Sequence, residues 1–381
     1  MLKKIKIIAI TLFARLFKLR NRKYVLFAVR NEIMLSYVLP IYNGLRNDSR
    51  LSLWFCFTNP DRFSANQIDT FKKKHTLKTI SYRLAKHIDW ELIIFPDHCP
   101  PFREKCHKIY TGHGLTAGKK VKDTAYIFGP RSLGKKGEII YEKIFVNSQF
   151  IKDRIKENYS NFYPHVRVVG SLLSDQMRIE KNIDIQSLGL DINKKTIMIC
   201  STWGPHSLIQ SQGHNFINEI PKIANDYNII ISVHLNNFTV SKSGCDDISG
   251  LLDRIEQTNV YINKSFQVPH LLLRNADILI TDITSLGLYY PMLGRPIIFL
   301  DNQKTEFEPC ALIPELRKVA YVINDFSNMR ETIENALIKF NPERMKDLSL
   351  KIVSFHGQAW ERHANEIYDS LSLNENKIKN E

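Results

Sequence analysis

Cysteine is scarce and scattered. Six of them, Cys56, Cys99, Cys106, Cys200, Cys245 and Cys310, are spread over 381 residues. That spacing excludes a disulfide scaffold and points to a reducing cytoplasm. The one local cluster of soft ligands, His98-Cys99 and Cys106-His107, comes as two adjacent pairs rather than spaced a few residues apart, so no metal site is expected. Long apolar runs are missing as well. Residues 7–14 form the apolar stretch of the N-terminus, far short of the ~20 residues that cross a bilayer. No small-residue cleavage site follows it, so neither a spanning helix nor a cleaved signal is expected. Acidic residues are outnumbered, 39 against 53 Lys and Arg, for a net charge of +14. The partners this favours are anionic: nucleic acid, acidic lipid headgroups or phosphorylated substrates.

The length suggests two domains, and a 44% apolar content supplies a core for each. Residues 1–23 mix Lys3, Lys4, Lys6, Arg15, Lys18, Arg20, Arg22 and Lys23 with Ile7, Ile8, Ile10, Leu12, Phe13, Leu16 and Phe17. Such a segment reads as a basic amphipathic helix lying on an anionic membrane surface, which would make the protein peripheral to the cytoplasmic face. From Tyr24 strands and helices alternate: apolar runs at 24–29, 51–58, 92–95, 108–111, 144–147 and 166–169, with helical patterns at 34–43 and 150–158. A polar stretch, 171–195, then reads as a connection. The alternation resumes with strands at 196–200, 229–233, 260–262, 278–280, 297–300 and 320–323 and helices at 214–226, 267–275, 286–293, 329–339 and 360–371. The expected class is α/β, with an N-terminal domain at 24–175 and a C-terminal domain at 190–372. Both carry mainly parallel sheets, and a ligand cleft lies between them. The tail from 374 to 381 reads as disordered.

Three places put reactive groups just after a strand, where open parallel sheets bind ligands. The first is Thr111-Gly112-His113-Gly114, with Lys119 and Lys120 close behind. Gly112 and Gly114 let the backbone approach a substrate and leave the imidazole uncovered. The second is Ser201-Thr202-Trp203-Gly204, whose amides and hydroxyls would cradle phosphate oxygens. The third is His234, which in this position is also a common satisfied core residue. The stretch 276–300, ADILITDITSLGLYYPMLGRPIIFL, adds a strand, the cluster Thr281-Asp282-Ile283-Thr284-Ser285, a helix ending at Gly294, and a second strand. Hydroxyls at a helix N-terminus, which carries roughly half a positive charge, suit an anion; equally, Thr284 or Ser285 serves as an ordinary N-cap.

The order of these motifs resembles the CDP-glycerol glycerophosphotransferase family, enzymes that build polyol-phosphate chains of teichoic acids and related capsules. The resemblance runs from 108 to 300. It takes in the histidine-glycine pair, Phe145-Val146-Asn147-Ser148-Gln149-Phe150, Gly170, Thr202-Trp203, His234, the run from Ile280 through Ser285, and the run from Arg295 through Phe299. It implies a GT-B type fold of two Rossmann-like domains with parallel sheets facing a central cleft, monotopic membrane association, and transfer of glycerol phosphate from CDP-glycerol to a hydroxyl with release of CMP. The acceptor is membrane-linked or an oligosaccharide. The CDP-activated donor is a substrate, so no cofactor and no metal is implied. Carried over residue by residue, His113 and His234 match the two functional histidines, with Gly112 and Gly114 in support. Thr284 and Ser285 match a serine pair on the donor phosphates, where Thr202 and Asp282 are grouped with them. The departures concern the donor. Gly204, Pro205 and His206 stand where an arginine is usual, Leu235 replaces proline, Thr284 replaces the first serine, Tyr289 replaces aspartate, and Leu115-Thr116-Ala117-Gly118 replaces Thr-Pro.

Two other classes compete. A glycosyltransferase using a nucleotide sugar needs the same two domains and pyrophosphate site, and differs in releasing UDP or another nucleoside diphosphate rather than CMP. A nucleic-acid-binding module would interleave aromatics with basic clusters. The basic excess here lies near the N-terminus and beside His113, so nucleic acid is not an expected partner.

Overall fold

The structure, a computed structural model, describes residues 22–59, 65–98, 101–102, 105–116, 118, 120, 127–238, 247–255, 257–263, 270–301 and 305–373. The basic N-terminal segment up to residue 21, Cys99, Lys119, Cys245 and the 374–381 tail lie outside them. Two compact units emerge. The first comprises Met1–His113, Ala125–Leu172 and Phe355–Glu381, the second Gly114–Thr124 and Leu173–Ser354. Two segments lie in the other unit from their neighbours in sequence. Gly114–Thr124 belongs to the second unit, and the chain from Phe355 onward returns to the first.

The first unit holds a six-stranded sheet of β1 (Lys23–Val29), β2 (Leu51–Phe57), β3 (Leu92–Phe95), β4 (His107–Tyr110), β5 (Lys143–Val146) and β6 (Val166–Val168), in the order β2-β1-β3-β4-β5-β6. All five pairings are parallel. Continuous apolar runs such as YVLFAV in β1 are what a sheet covered on both faces requires. Phe27 and Phe55 stack at 4.9 Å, and Tyr42 from the helix Glu32–Leu45 meets Phe55 edge-on at 5.2 Å. That helix begins where the Asn31 side chain accepts the Met34 N–H at 2.9 Å.

The C-terminal helix Ala359–Ser370 packs into this same core through Ala364, Ile367 and Tyr368. Gly44 makes room for it: a Cβ there would lie 2.2 Å from the Trp360 indole, so any larger residue would push the helix away. Polar contacts fix its far end. Lys143, at 3% exposure, sends its ammonium to Asp369 at 2.6 Å, to Glu366 at 2.9 Å and to the Glu366 carbonyl at 2.8 Å. These long-range contacts are why the last helix belongs with the first 113 residues rather than with its neighbours in sequence.

The second unit is a six-stranded parallel sheet of β7 (Thr196–Ser201), β8 (Asn228–Val233), β9 (Val260–Asn263), β10 (Ile278–Thr281), β11 (Ile297–Leu300) and β12 (Tyr321–Ile323), in the order β12-β11-β10-β7-β8-β9. Counted from β7, this is the 3-2-1-4-5-6 order of a dinucleotide-binding sheet, whose direction of winding reverses between β7 and β10. The helix Leu208–Ala224 buries Leu208, Ile209, Phe216, Ile220 and Ile223 on that sheet. The stretch at 171–195, expected to connect the halves, contains a helix, Leu172–Ile179, and a short 3-10 turn, Ile185–Leu188.

The helix expected at 286–293 is instead a nine-residue 3-10 helix, Ser285–Leu293. Runs of this kind rarely exceed four residues. Pro291 withholds the donor an α-turn would use, and Gly287 lies so close to β10 that a Cβ would sit 3.1 Å from the Thr281 side chain. Thr284 caps its start and Gly294, in the left-handed region at φ 62°, its end.

Candidate functional site

The residues with chemistry in the second unit collect at the switch point. β7 and β10 are neighbours with Cys200 paired to Thr281, so Ser201 and Asp282 leave the sheet side by side. The Asp282 side chain turns inward and is 1% exposed. One carboxylate oxygen accepts the N–H of Thr202 at 2.9 Å and of Thr284 at 3.1 Å; the other accepts the Ser201 hydroxyl at 2.9 Å and the N–H of Leu208 at 2.8 Å. Burial pushes its pKa up to about 6, opposed by the hydrogen bonds from Leu208, Thr202, Ser201 and Thr284. The same burial, with the Asp282 charge adding to it, raises the neighbouring Cys200 thiol well above its ordinary value.

This corrects two expectations. Asp282 does not face a donor phosphate, because its oxygens are engaged within the fold. The Ser201 hydroxyl and the Thr202 amide, expected to cradle phosphate, are its partners. Leu208 is the first residue of the helix Leu208–Ala224. The anion-seeking end of that helix therefore already holds an internal carboxylate. The next such end is the start of the 3-10 helix, where Thr284 and Ser285 stand. Both are half-buried, and Thr284 Oγ1 accepts the Leu286 N–H at 3.4 Å. Thr284 is thus the N-cap, and Ser285 stands one residue further in.

His234 follows β8. Its N–H bonds the Ser201 carbonyl at 3.0 Å, and its ring Nδ1 accepts the Asn236 N–H at 3.1 Å. Burial lowers its pKa to about 4, so at neutral pH the ring is uncharged. An Nδ1 that accepts leaves the ring proton on Nε2, and His234 is thereby a hydrogen-bond donor rather than a base. Trp203, 37% exposed, lies beside it with ring centroids 6.1 Å apart.

Sequence reasoning passed over Asn237. It is fully buried, donates from Nδ2 to the Thr202 carbonyl at 2.8 Å, and sends its own N–H to the His234 carbonyl at 2.9 Å. No spacing rule marks it; its only signal is an asparagine pair one residue beyond a strand-end histidine.

In the first unit His113 lies three residues beyond β4. Thr111 ties its backbone N–H to the Phe95 carbonyl at 2.8 Å, while Gly112 and Gly114 take φ of 70° and 118°, values that glycine supplies. The His113 Nδ1 is 2.9 Å from the Pro96 carbonyl, an acceptor only, so Nδ1 carries the proton and Nε2 the lone pair. The edge of Tyr37 meets the ring at 6.4 Å. His113 and His234 thus hold opposite tautomers, each set by one backbone group.

Directly after His113 the chain enters the second unit. There Thr116, Gly118 and Lys120 form a ladder with Leu312, Glu308 and Glu306 at 3.0, 2.7 and 3.0 Å. Gly118 is required: a Cβ would come within 2.3 Å of the Ala311 Cβ.

Among the described residues no group of three His, Cys, Asp or Glu side chains could hold a metal, and no helix is long and apolar enough to cross a membrane. His107, from the cysteine-histidine pairs, is engaged with Glu142.

Two parallel α/β sheets, the second wound in dinucleotide-binding order with polar strand ends at its switch point, define a fold of GT-B type. The solved structures it resembles fit that class. The wall teichoic acid polymerase TagF superposes with a TM-score of 0.65 at 14% identity, covering 97% of this chain and 96% of that one. MnaA of S. aureus with UDP gives 0.61 at 12% identity, covering 92% and 98%. UDP-GlcNAc 2-epimerase from Neisseria meningitidis bound to UDP-GlcNAc gives 0.58 at 16%, covering 91% and 100%. At such identities the likeness establishes the fold. No protein-family profile and no curated protein matches the sequence.

Proposed function

We propose that this protein transfers a polyol phosphate, glycerol phosphate from CDP-glycerol, to a hydroxyl of a membrane-linked or glycan acceptor in the synthesis of a cell-surface polymer such as a teichoic acid or capsule. The observation that carries this reading is the pair of opposite tautomers. His113, with its lone pair on Nε2, suits the general base that takes the acceptor hydroxyl proton. His234, neutral and protonated on Nε2, suits a donor to a phosphate oxygen. The acceptor oxygen then forms a bond to the β-phosphorus, and the bond from that phosphorus to the bridging oxygen breaks, so that CMP leaves with the electron pair. Thr284, Ser285 and the Thr202 side chain contact the donor phosphates in this scheme. Supporting it are the ordered motifs from His113 to Phe299 and the fold shared with TagF, solved also after soaking with CDPG.

A nucleotide-sugar donor is the second reading, favoured by the likeness to an epimerase bound to UDP-GlcNAc. Incubation with a panel of CDP-polyols and nucleotide sugars separates the two. CMP released only with a CDP-polyol supports the proposal; UDP or another nucleoside diphosphate released from a sugar donor overturns it. We further assign residues 1–23 to peripheral association with the cytoplasmic face of the membrane. Their eight Lys and Arg, at about 1 kcal/mol each near an anionic surface, suffice for reversible binding. Unchanged flotation with anionic liposomes after deleting residues 1–20 would refute it.

A further inference from the structure

The Thr202 peptide is gripped from both sides. Asp282, at the end of β10, accepts its N–H, and Asn237, in the turn after β8, donates to its carbonyl. Three strand ends that are far apart in sequence are thereby fastened to one residue. The Asn237 half of the grip has an unusual feature. Because the Thr202 carbonyl can only accept, Nδ2 must face it, which fixes where Oδ1 points. That Oδ1 is buried and accepts no hydrogen bond among the described residues. An asparagine kept only to fill space would be replaced at a gain by an apolar side chain, since an unmet buried acceptor costs stability. The amide is therefore held for what Nδ2 does.

We propose that Asn237 is a positioning residue for binding of the nucleotide-activated donor. Through the Thr202 carbonyl it fixes the Thr202–Trp203 loop against the turn that carries His234, so that loop and imidazole meet the ligand as one rigid edge. The spacing agrees: the Asn237 N–H bonds the His234 carbonyl at 2.9 Å, the Asn236 N–H holds the His234 ring, and the Trp203 ring lies 6.1 Å from it. Asn237 itself touches no reacting atom. The inference rests on His234 donating to a donor phosphate, as in the function proposed above.

The test is calorimetric titration of CDP-glycerol into the wild type, Asn237→Leu, His234→Gln and the double variant, with donor KM and turnover measured alongside. Asn237→Leu is expected to weaken donor binding and raise KM roughly tenfold, the scale of one lost hydrogen bond. Turnover at saturating donor should fall by a smaller factor than affinity does. In the His234→Gln background the same change should cost less than about twofold, because residues acting through one another are not additive. Asn237→Ser, which removes the bond without adding bulk, carries the same expectation if the leucine variant does not fold. Unchanged donor binding in a folded variant, or fully additive losses, overturns the inference and leaves Asn237 a structural residue. If the wild type binds neither CDP-glycerol nor CMP, the functional reading falls and this inference with it.

Discussion

The carboxylate of Asp282 accepts the N–H of Leu208 at 2.8 Å, placing an internal anion at the head of the helix Leu208–Ala224. In many sheets wound in this order a ligand phosphate occupies that position. Here the fold fills it, and the hydroxyls of Thr284 and Ser285 stand one strand away, after β10. The function proposed above therefore places the donor phosphates at the start of the 3-10 helix.

Changing Thr284 and Ser285 together to alanine should weaken donor binding by more than the stability lost. A cap is worth about 1 kcal/mol. Thermal melts and donor titrations on one sample separate the two effects: donor affinity that stays at the wild-type value while stability falls by that amount would leave Thr284 as a cap and nothing more.

His113→Ala should lower turnover by about 10²–10⁴-fold, the usual contribution of a general base, with donor affinity close to wild type. Stopped-flow or steady-state rates at saturating donor, set beside titrations, report it. Lost affinity with retained turnover would exchange the roles of His113 and His234.

Acid stability should carry the mark of His234. Its folded pKa, about 4, lies below the unfolded 6.5. Between those values the unfolded chain binds the extra proton, and stability is lost as pH falls through that window. Asp282, raised from 3.8 to about 6, acts in the opposite sense: across 4 to 6 the folded state holds the extra proton, and stability falls as pH rises. His234→Gln removes only the first contribution. The variant's melting temperature should therefore compare more favourably with wild type at pH 5 than at pH 7.5, and a difference independent of pH would contradict the assignment.

Lys143→Met should loosen the C-terminal helix. It removes charged hydrogen bonds to Asp369 and Glu366, at a cost of about 2 kcal/mol once the exposure of Asp369 is allowed for. Amide exchange should rise first in Ala359–Ser370. Uniform protection across the variant would show that the apolar contacts of Ile367 and Tyr368 hold the helix unaided.

Much of the architecture was legible in the chain. Apolar runs such as LIIF in β3 and ILIT in β10 read as strands buried on both faces, and Gly294 ends its helix where the left-handed backbone favours glycine. Gly112 and Gly114 likewise marked His113. These are local properties: a strand's burial and a glycine's φ are set by neighbouring residues. What tertiary structure alone decided is which buried polar group answers which. Asp282 reads from sequence as a phosphate contact because nothing local says that Ser201, Thr202 and Leu208, more than seventy residues earlier, will consume its oxygens. The helix Ala359–Ser370 reads as the end of the second domain until Gly44 and Lys143 claim it for the first. Burial makes an unmet donor or acceptor costly, so such groups are paired wherever the chain brings a partner within reach, and reach is a property of the folded chain.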